Sequence, residues 1–190
     1  MIRIPALVVA SCVVSAWILP AADLSGTSVA GGKPVADAVV WLDAPGAPRL
    51  TNPPEVVLDQ RNMSFSPHVV VVQVGTRVKF PNSDRVFHDV FSRKDGKQFD
   101  LGLYPVGAVK YVPFDEPGLS RIFCNIHPQM AAYVMVVDTP YFAVSDRAGR
   151  FTIRGVPQGE YRYHAWRPGG SVLNASVVVG PGSIVEVIWP

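Results

Sequence analysis

Residues 124–130 read Cys-Asn-Ile-His-Pro-Gln-Met, so that Cys124, His127 and Met130 follow one another at intervals of three. A second imidazole, His88, lies upstream in the run Asn-Ser-Asp-Arg-Val-Phe-His-Asp. Thiolate, imidazole and thioether groups suit copper, whereas magnesium and calcium prefer oxygen ligands. Two imidazoles and a thiolate in a plane, with a weak axial thioether, form a type 1 copper site. The sequence therefore predicts one copper ion held by four ligands. These ligands are His88, Cys124, His127 and Met130.

Other metal sites are disfavoured by the count of ligands. A closed structural zinc site takes four Cys or His ligands, often as Cys-x2-Cys pairs, and the sequence has no such pair. A binuclear copper centre would need a second cysteine in the same loop. Covalent haem attachment would need a Cys-x-x-Cys-His run, which does not occur.

The segment from Glu55 to Asp138 resembles the cupredoxins, the family of plastocyanin and amicyanin. Besides the ligand spacing, the resemblance rests on Phe-Ser-Pro at 65–67 and on Val-Gly-Thr-Arg-Val-Lys-Phe at 74–80. The short Cys-x2-His-x2-Met spacing is similar to that of amicyanin. The family commonly has Asn directly after its first His ligand, where it ties the two ligand loops together. This chain has Asp89 at that position.

The resemblance implies a Greek-key β-sandwich, with one His ligand on a loop between two strands and the other three ligands on a loop before the last strand. It implies a protein that carries single electrons between redox partners and is not an enzyme. The expected partner is a redox protein such as a cytochrome c or a dehydrogenase, and the amicyanin-like loop suggests an amine-oxidation or cytochrome-linked chain.

The N-terminus has the features of a secretory signal peptide. Arg3 supplies a positive charge, the stretch from Ile4 to Pro20 is almost wholly apolar, and small residues follow. These features predict a signal peptide over residues 1–22, a periplasmic location and no membrane insertion after cleavage. An uncleaved membrane anchor is the alternative.

The cysteine count supports the copper site independently. The chain has two cysteines, and removal of the signal peptide would remove Cys12 and leave Cys124 alone. No intramolecular disulfide could then form, and a lone thiol in an oxidising compartment is a liability unless a metal occupies it. Cys12 also ends a Val-Ala-Ser-Cys run that resembles a lipoprotein cleavage box, so lipidation is a second alternative for the N-terminus.

The charge of the chain argues against nucleic acid as a partner. The formal net charge is +2, and it falls to about +1 once Arg3 leaves with the signal peptide. A nucleic-acid-binding protein would need a clustered basic face.

Short β-branched and aromatic runs, separated by Gly, Pro and Asp turns, predict an all-β fold. The expected strands of the copper segment are 69–74, 77–80, 109–114, 119–123 and 133–137. Helical periodicity is nearly absent, and 18 prolines disfavour long helices.

The rest of the chain predicts a second small β-sandwich. Its opening, Gly26 to Val29 and Gly32 to Leu42, and its continuation, Ser145 to Ile153, resemble a carboxypeptidase regulatory-like sandwich. We therefore expect a sandwich formed by residues 23–54 and 139–190 and split by a cupredoxin domain over residues 55–138. In that arrangement Val39 and Trp41 would pack with Phe151 and Tyr161. The alternative is two consecutive domains with a strand-rich N-terminal arm.

Several residues near the predicted ligands form an apolar collar that would exclude water and serve as a docking patch beside the edge of His127. These are Phe87, Tyr104, Pro105, Ile126 and Pro128. The sequence leaves open whether His68, at the start of a strand, has a role related to the metal. It also leaves open two other functions. One is a copper chaperone or storage protein, and the other is a surface-binding or partner-binding protein in which copper is structural.

Overall fold

The computed structural model describes residues 20–93 and 95–190, so most of the predicted signal peptide lies outside the described residues. The described residues form eighteen β-strands and no helix, which confirms the all-β fold class. No helix long and apolar enough to cross a membrane occurs among them.

The strands are short, and most are separated by turns. In chain order they are β1 (Ala21–Ala30), β2 (Lys33–Pro34), β3 (Val39–Leu42), β4 (Val56–Val57), β5 (Asp59–Arg61), β6 (Ser64–Ser66), β7 (Val69–Gln73), β8 (Thr76–Pro81), β9 (His88–Ser92), β10 (Phe99–Tyr104), β11 (Val109–Phe114), β12 (Gly118–Cys124), β13 (Ala131–Val137), β14 (Phe142–Val144), β15 (Arg150–Pro157), β16 (Gly159–Trp166), β17 (Leu173–Val179) and β18 (Ile184–Trp189).

Strands β4 to β13 form one sandwich. Its larger sheet has the order β10-β9-β12-β13-β7, its smaller sheet has the order β11-β8-β4, and β5 and β6 form a separate hairpin. Alternating side chains of both sheets meet in one core that includes Phe80, Phe114, Ile122 and Val134, all fully buried. The strand predicted at 109–114 has the observed bounds, and the other four are correct within one or two residues.

A second sandwich combines strands from the two ends of the chain. Strand β1 pairs antiparallel with β15 and parallel with β18. The opposite sheet has the order β14-β3-β16-β17. Leu24, Val40, Phe151 and Val187 share its core. Because the core is built from residues before β4 and after β13, neither end of the chain could bury its apolar face alone.

The predicted facing of β3 is wrong by one residue. Val40 and Leu42, rather than Val39 and Trp41, join Phe151 in the core of the second sandwich. Val39 lies in a separate cluster on the opposite face of the sheet, and Trp41 packs against that cluster. Both faces of β3 are apolar, so the alternation of side chains could not indicate which face enters the core of the second sandwich.

That separate cluster joins the two sandwiches. Val39 and Trp166 of the second sandwich pack with Val69, Met135 and Val137 of the first. At its edge the Tyr133 and Trp166 rings lie 5.2 Å apart in an edge-to-face arrangement. This apolar contact fixes the outer face of β7 and β13 against the second sandwich.

Gly26 provides a test of the core shared by the two chain ends. A Cβ added at Gly26 would lie 2.5 Å from the carbonyl oxygen of Val185 and would collide with the Phe151 ring. We expect Gly26→Ala to lower the free energy of unfolding by about 1–3 kcal/mol, because overpacking forces strand and ring apart. Urea denaturation followed by tryptophan fluorescence measures the change.

Gly180→Ala is the matched control, because no atom lies within 4 Å of the position of its added Cβ. We expect the control to change the free energy of unfolding by less than about 0.5 kcal/mol. Equal stability of the two variants would contradict the close packing of β1 between β15 and β18.

Candidate metal centre

The pairing of β9 with β12 brings the predicted ligands together. Phe123 pairs with Phe91, and Cys124 pairs with Val90. His88 begins β9 and Cys124 ends β12, so the antiparallel pairing places them side by side at one end of the sheet. The loop from residue 125 to residue 130 then returns over this end and carries His127 into the same space.

The three side chains have the geometry of a metal site. The Sγ atom of Cys124 lies 3.7 Å from Nδ1 of His88 and 3.7 Å from Nδ1 of His127, and the two Nδ1 atoms are 3.1 Å apart. An ion about 2.0 Å from each nitrogen and about 2.3 Å from the sulfur in a trigonal plane would give N–S separations of about 3.7 Å and an N–N separation of about 3.5 Å. The donor set therefore fits one copper ion.

The three donor side chains are largely shielded from water. His88 is fully buried, Cys124 is 4% exposed and His127 is partly exposed. Burial lowers the pKa of His88, and the nearby His127 lowers it further, while the hydrogen bond that Nε2–H of His88 donates to Asp84 opposes both. The imidazole of His88 is therefore held neutral at neutral pH, which is the state that binds a metal.

Met130 lies where an axial ligand is expected along the chain, at the end of the ligand loop. It is 1% exposed and belongs to the same buried cluster as Cys124. Its backbone N–H donates a hydrogen bond to the carbonyl oxygen of His127 over 3.0 Å, which closes the loop into a tight turn. The structure thus gathers His88, Cys124 and His127 into one group and buries Met130 in the cluster that contains Cys124.

Backbone hydrogen bonds tie the two ligand loops at Asp89. The N–H of Asp89 donates to Sγ of Cys124 over 3.5 Å, and its carbonyl oxygen accepts from the N–H of Asn125 over 2.9 Å. Neither bond uses the side chain, so the backbone ties the loops although the commonly found Asn is absent. The Oδ1 atom of Asp89 is buried without a hydrogen-bond partner among the described residues.

The carboxylate of Asp84 holds the far side of His88. Its Oδ2 atom lies 3.2 Å from Nε2 of His88, and the side chains of the pair are only 9% and 0% exposed. The same oxygen accepts from the N–H of Met63 over 2.6 Å, and Oδ1 accepts from the N–H of Arg85. These bonds, led by the one from Met63, lower the pKa of Asp84. A carboxylate on the outer nitrogen directs Nδ1 of His88 toward the metal position.

Asn82 shapes the loop that presents Asp84 and His88. Its Nδ2 atom donates to the carbonyl oxygens of Val86 (2.8 Å) and Tyr104 (3.3 Å), and its Oδ1 atom accepts from the N–H of Asp84 (3.0 Å). The side chain is 1% exposed. The side chain of Asn82 therefore provides hydrogen-bond partners for backbone groups that would otherwise be left unpaired in this irregular loop.

Sequence reasoning missed both Asp84 and Asn82. The available signal was the Asn-Ser-Asp run, in which Asn and Asp favour turns through their own side chains, followed four residues later by His88. The predicted collar is also different in one respect: Tyr104 is 2% exposed and lies in the core, where burial raises its pKa. Phe87, Pro105, Ile126 and Pro128 are exposed as expected for a collar.

His68 lies in a different environment. Its Nδ1 atom is 2.9 Å from Oδ2 of Asp37, a residue of the second sandwich, and its ring packs edge-on against Tyr133. The group of side chains placed to hold a metal contains His88, Cys124 and His127 without it. The position of His68 favours a contact between the two sandwiches over a role at the metal.

Three solved structures are similar to parts of this chain. A purple cupredoxin from Nitrosopumilus maritimus is 24% identical, with a TM-score of 0.40, over 43% of this chain and 99% of that one. Amicyanin from Paracoccus versutus is 26% identical, with a TM-score of 0.39, over 43% of this chain and 80% of that one. A copper-containing nitrite reductase from Thermus scotoductus is 25% identical, with a TM-score of 0.43, over 58% of this chain and 28% of that one.

The sequence comparisons bear on the other sandwich. The family model for domain II of polysaccharide lyase family 4 matches residues 132–187, less than a third of the chain. No curated protein matches the chain. The case for a metal centre therefore rests on the side chains at the site.

Asp84→Asn tests whether the carboxylate positions His88. The amide keeps the size of the side chain but removes the charge that orients the imidazole. We expect copper affinity to fall about 10- to 100-fold, the range found for such outer partners of metal ligands. Competition with a chelator of known copper affinity measures the change. Asp115→Asn is the control, because Asp115 pairs with Lys97 away from the ligand loops. Equal affinities in both variants would contradict the positioning role.

Proposed function

We propose that this chain is an exported type 1 copper protein that carries single electrons between periplasmic redox partners. The observation that carries the proposal is the trio of buried donor atoms, two Nδ1 and one Sγ, separated by 3.1–3.7 Å. Copper bound there would accept and release one electron without chemical change to a substrate. His88, Cys124 and His127 are the proposed strong ligands, and Met130 is the proposed axial ligand.

The protein's own contribution is to hold these ligands still. The backbone bonds at Asp89, the carboxylate of Asp84 and the amide of Asn82 fix the ligand loops from three sides. A site fixed before the metal binds changes little when the charge of the metal changes, and a small change favours fast electron exchange.

We further propose the domain division 23–54, 55–138 and 139–190, with the signal peptide before it and the cupredoxin segment inserted into the second sandwich. The core shared by β1, β3 and β15 to β18 supports this division. In this arrangement Phe87 and Ile126, the residues that precede the two histidine ligands, remain exposed to a partner.

Exposed apolar side chains around the partly exposed His127 support a protein partner. Phe87 is 50% exposed and Ile126 is 47% exposed, and they flank the two histidine ligands in sequence. Leu103 lies in β10 and is 59% exposed, and Val106 lies just after β10 and is 52% exposed. The N–H of Gly107, the next residue, donates a hydrogen bond to the carbonyl oxygen of Asn82, which ties this segment to the loop before His88. We call Phe87, Leu103, Val106 and Ile126 the apolar patch. Such clusters of exposed apolar groups mark interaction sites, and a cytochrome c or a dehydrogenase is the proposed partner class.

The identity of the metal is tested by colour. The copper-loaded oxidised protein should absorb strongly in the visible range, through charge transfer from the thiolate of Cys124 to copper. Cys124→Ser should abolish this absorption, because a hydroxyl is a poor soft donor.

Met130→Leu should keep the colour and raise the reduction potential, because it removes a weak donor and makes the site more apolar. Visible spectra and voltammetry measure both. A colourless wild-type protein that retains zinc in preference to copper would overturn the proposal.

Electron exchange tests the apolar patch. We expect the double variant Phe87→Ser, Ile126→Ser to slow electron transfer to a soluble c-type cytochrome about 5- to 10-fold, because exposed apolar anchors account for much of the affinity of a small interface. The visible spectrum should not change. Val178→Ser is the control, since Val178 is 70% exposed on the second sandwich. Stopped-flow absorbance gives the rates, and equal rates in all three proteins would exclude the patch as the docking site.

A further inference from the structure

A cleft of about 860 Å³ lies between the two sandwiches. The first sandwich contributes the start of β12 and the end of β13, and the second contributes the end of β3 and the loop between β16 and β17. Cys124 is six residues from Gly118, the first residue of β12, so the cleft lies about 20 Å from the candidate metal centre along that strand. Its volume is in the range of sites for small organic ligands.

The walls of the cleft are mainly apolar and aromatic. Trp41, Leu119, Met135 and Val172 line it, with Trp166 at its buried end. The Trp41 ring stacks on the imidazole of His164 with the ring centroids 5.2 Å apart and the planes inclined by 20°. This stack fixes the indole on one side, so Trp41 presents a rigid surface to the cleft.

The charged groups of the cleft have one sign. Among the described residues that line it, Asp43 and Asp138 are the charged ones, and no Lys or Arg is among them. Each carboxylate has one partner on one oxygen: Oδ1 of Asp43 lies 2.9 Å from Nε2 of His164, and Oδ1 of Asp138 lies 3.5 Å from Arg49. Both side chains are more than half exposed. Each therefore keeps an oxygen that can accept a hydrogen bond from a ligand.

We propose that this cleft binds a small organic ammonium ion with an apolar or aromatic body. The body packs against Trp41, Leu119 and Val172, and the ammonium group lies at the rim, where it donates hydrogen bonds to Asp43 and Asp138. Indole rings and carboxylates both attract cations, and the apolar walls exclude water from the body of the ligand. The proposal is independent of the copper-based function, because the two sites lie at opposite ends of β12.

Two other ligand classes fit less well. An anion would meet two carboxylates at the rim, and the cation beside them, Arg49, is already paired with Asp138, so charge disfavours an anion. A neutral oligosaccharide would need many hydrogen-bonding groups along its length, whereas the cleft is lined mainly by apolar side chains and offers polar groups chiefly at the rim. The test therefore includes a probe of each of these two classes.

The test compares four probes on the whole protein by isothermal titration calorimetry at low salt. The probes are 2-phenylethylammonium, the neutral isostere 2-phenylethanol, the anionic 3-phenylpropionate and maltotriose. We expect 2-phenylethylammonium to bind with a Kd on the order of 1 mM or below, as its size allows. The neutral isostere should bind several-fold more weakly, and the anion and the sugar should not bind measurably.

Variants locate the site. Asp43→Asn and Asp138→Asn should each weaken binding of the ammonium probe about 2- to 5-fold, the effect of losing one exposed ion pair. Val172→Ser should weaken the ammonium and neutral probes alike, because it removes apolar surface that both use. Asp23→Asn is the control and should change nothing, because Asp23 pairs with Arg154 on the sheet of the second sandwich that does not line the cleft.

Three results would overturn the proposal. They are the absence of saturable ammonium binding up to about 10 mM, equal binding of the ammonium and the anion, and binding that Asp43→Asn and Asp138→Asn both leave unchanged. The first result would mean that the cleft is a gap in the interface. Visible colour and copper affinity are measured on the same samples, so that failure at the cleft is separated from failure at the metal centre.

Discussion

The pairing of β9 with β12 is the interaction on which the candidate centre depends. Two Cα pairs, Phe123 with Phe91 and Cys124 with Val90, join the strand that begins at His88 to the strand that ends at Cys124. The register is fixed further by the hydrogen bond from Asn125 to the carbonyl oxygen of Asp89. A slip of one residue would turn Cys124 to the other face of the sheet and separate the donors. The large core behind these strands therefore stabilises the site as well as the fold.

Holding the metal-binding side chains close together costs free energy in the metal-free protein. The Nδ1 atoms of His88 and His127 lie 3.1 Å apart beside a buried thiol, and burial disfavours the charged form of His88. The lowered pKa of His88 reflects this cost. The hydrogen bonds of Asp84 and Asn82 keep the arrangement in place. A metal cation would relieve the crowding of donors, so binding stabilises the folded state and folding prepares the binding site.

The second sandwich determines which surfaces of the first sandwich are accessible. It packs on the outer face of β7 and β13, and the side chains of the apolar patch remain exposed. The same contact is incomplete at one end, where the cleft with Trp41, Asp43 and Asp138 opens. One chain therefore has two separate surfaces, one built around sulfur and imidazole donors and one around indole and carboxylate groups. Their chemistry differs enough that a single partner would not satisfy both.

The sequence by itself determined the all-β class and the bounds of the central strands, because these depend on local alternation and turn residues. The ligand spacing predicted four residues at the metal, and the structure brings His88, Cys124 and His127 together. The sequence did not determine which face of β3 enters which core, since Val39, Val40, Trp41 and Leu42 are all apolar and a period of two then carries no preference. It also did not reveal the roles of Asp84 and Asn82. Asp84 is bonded to Met63 and Asn82 to Tyr104, and such long-range partners meet only when the strands pair. The cleft is likewise a product of tertiary structure, because Asp43 and Asp138 lie 95 residues apart in the chain (138 − 43) and share a surface only through the contact of the two sandwiches.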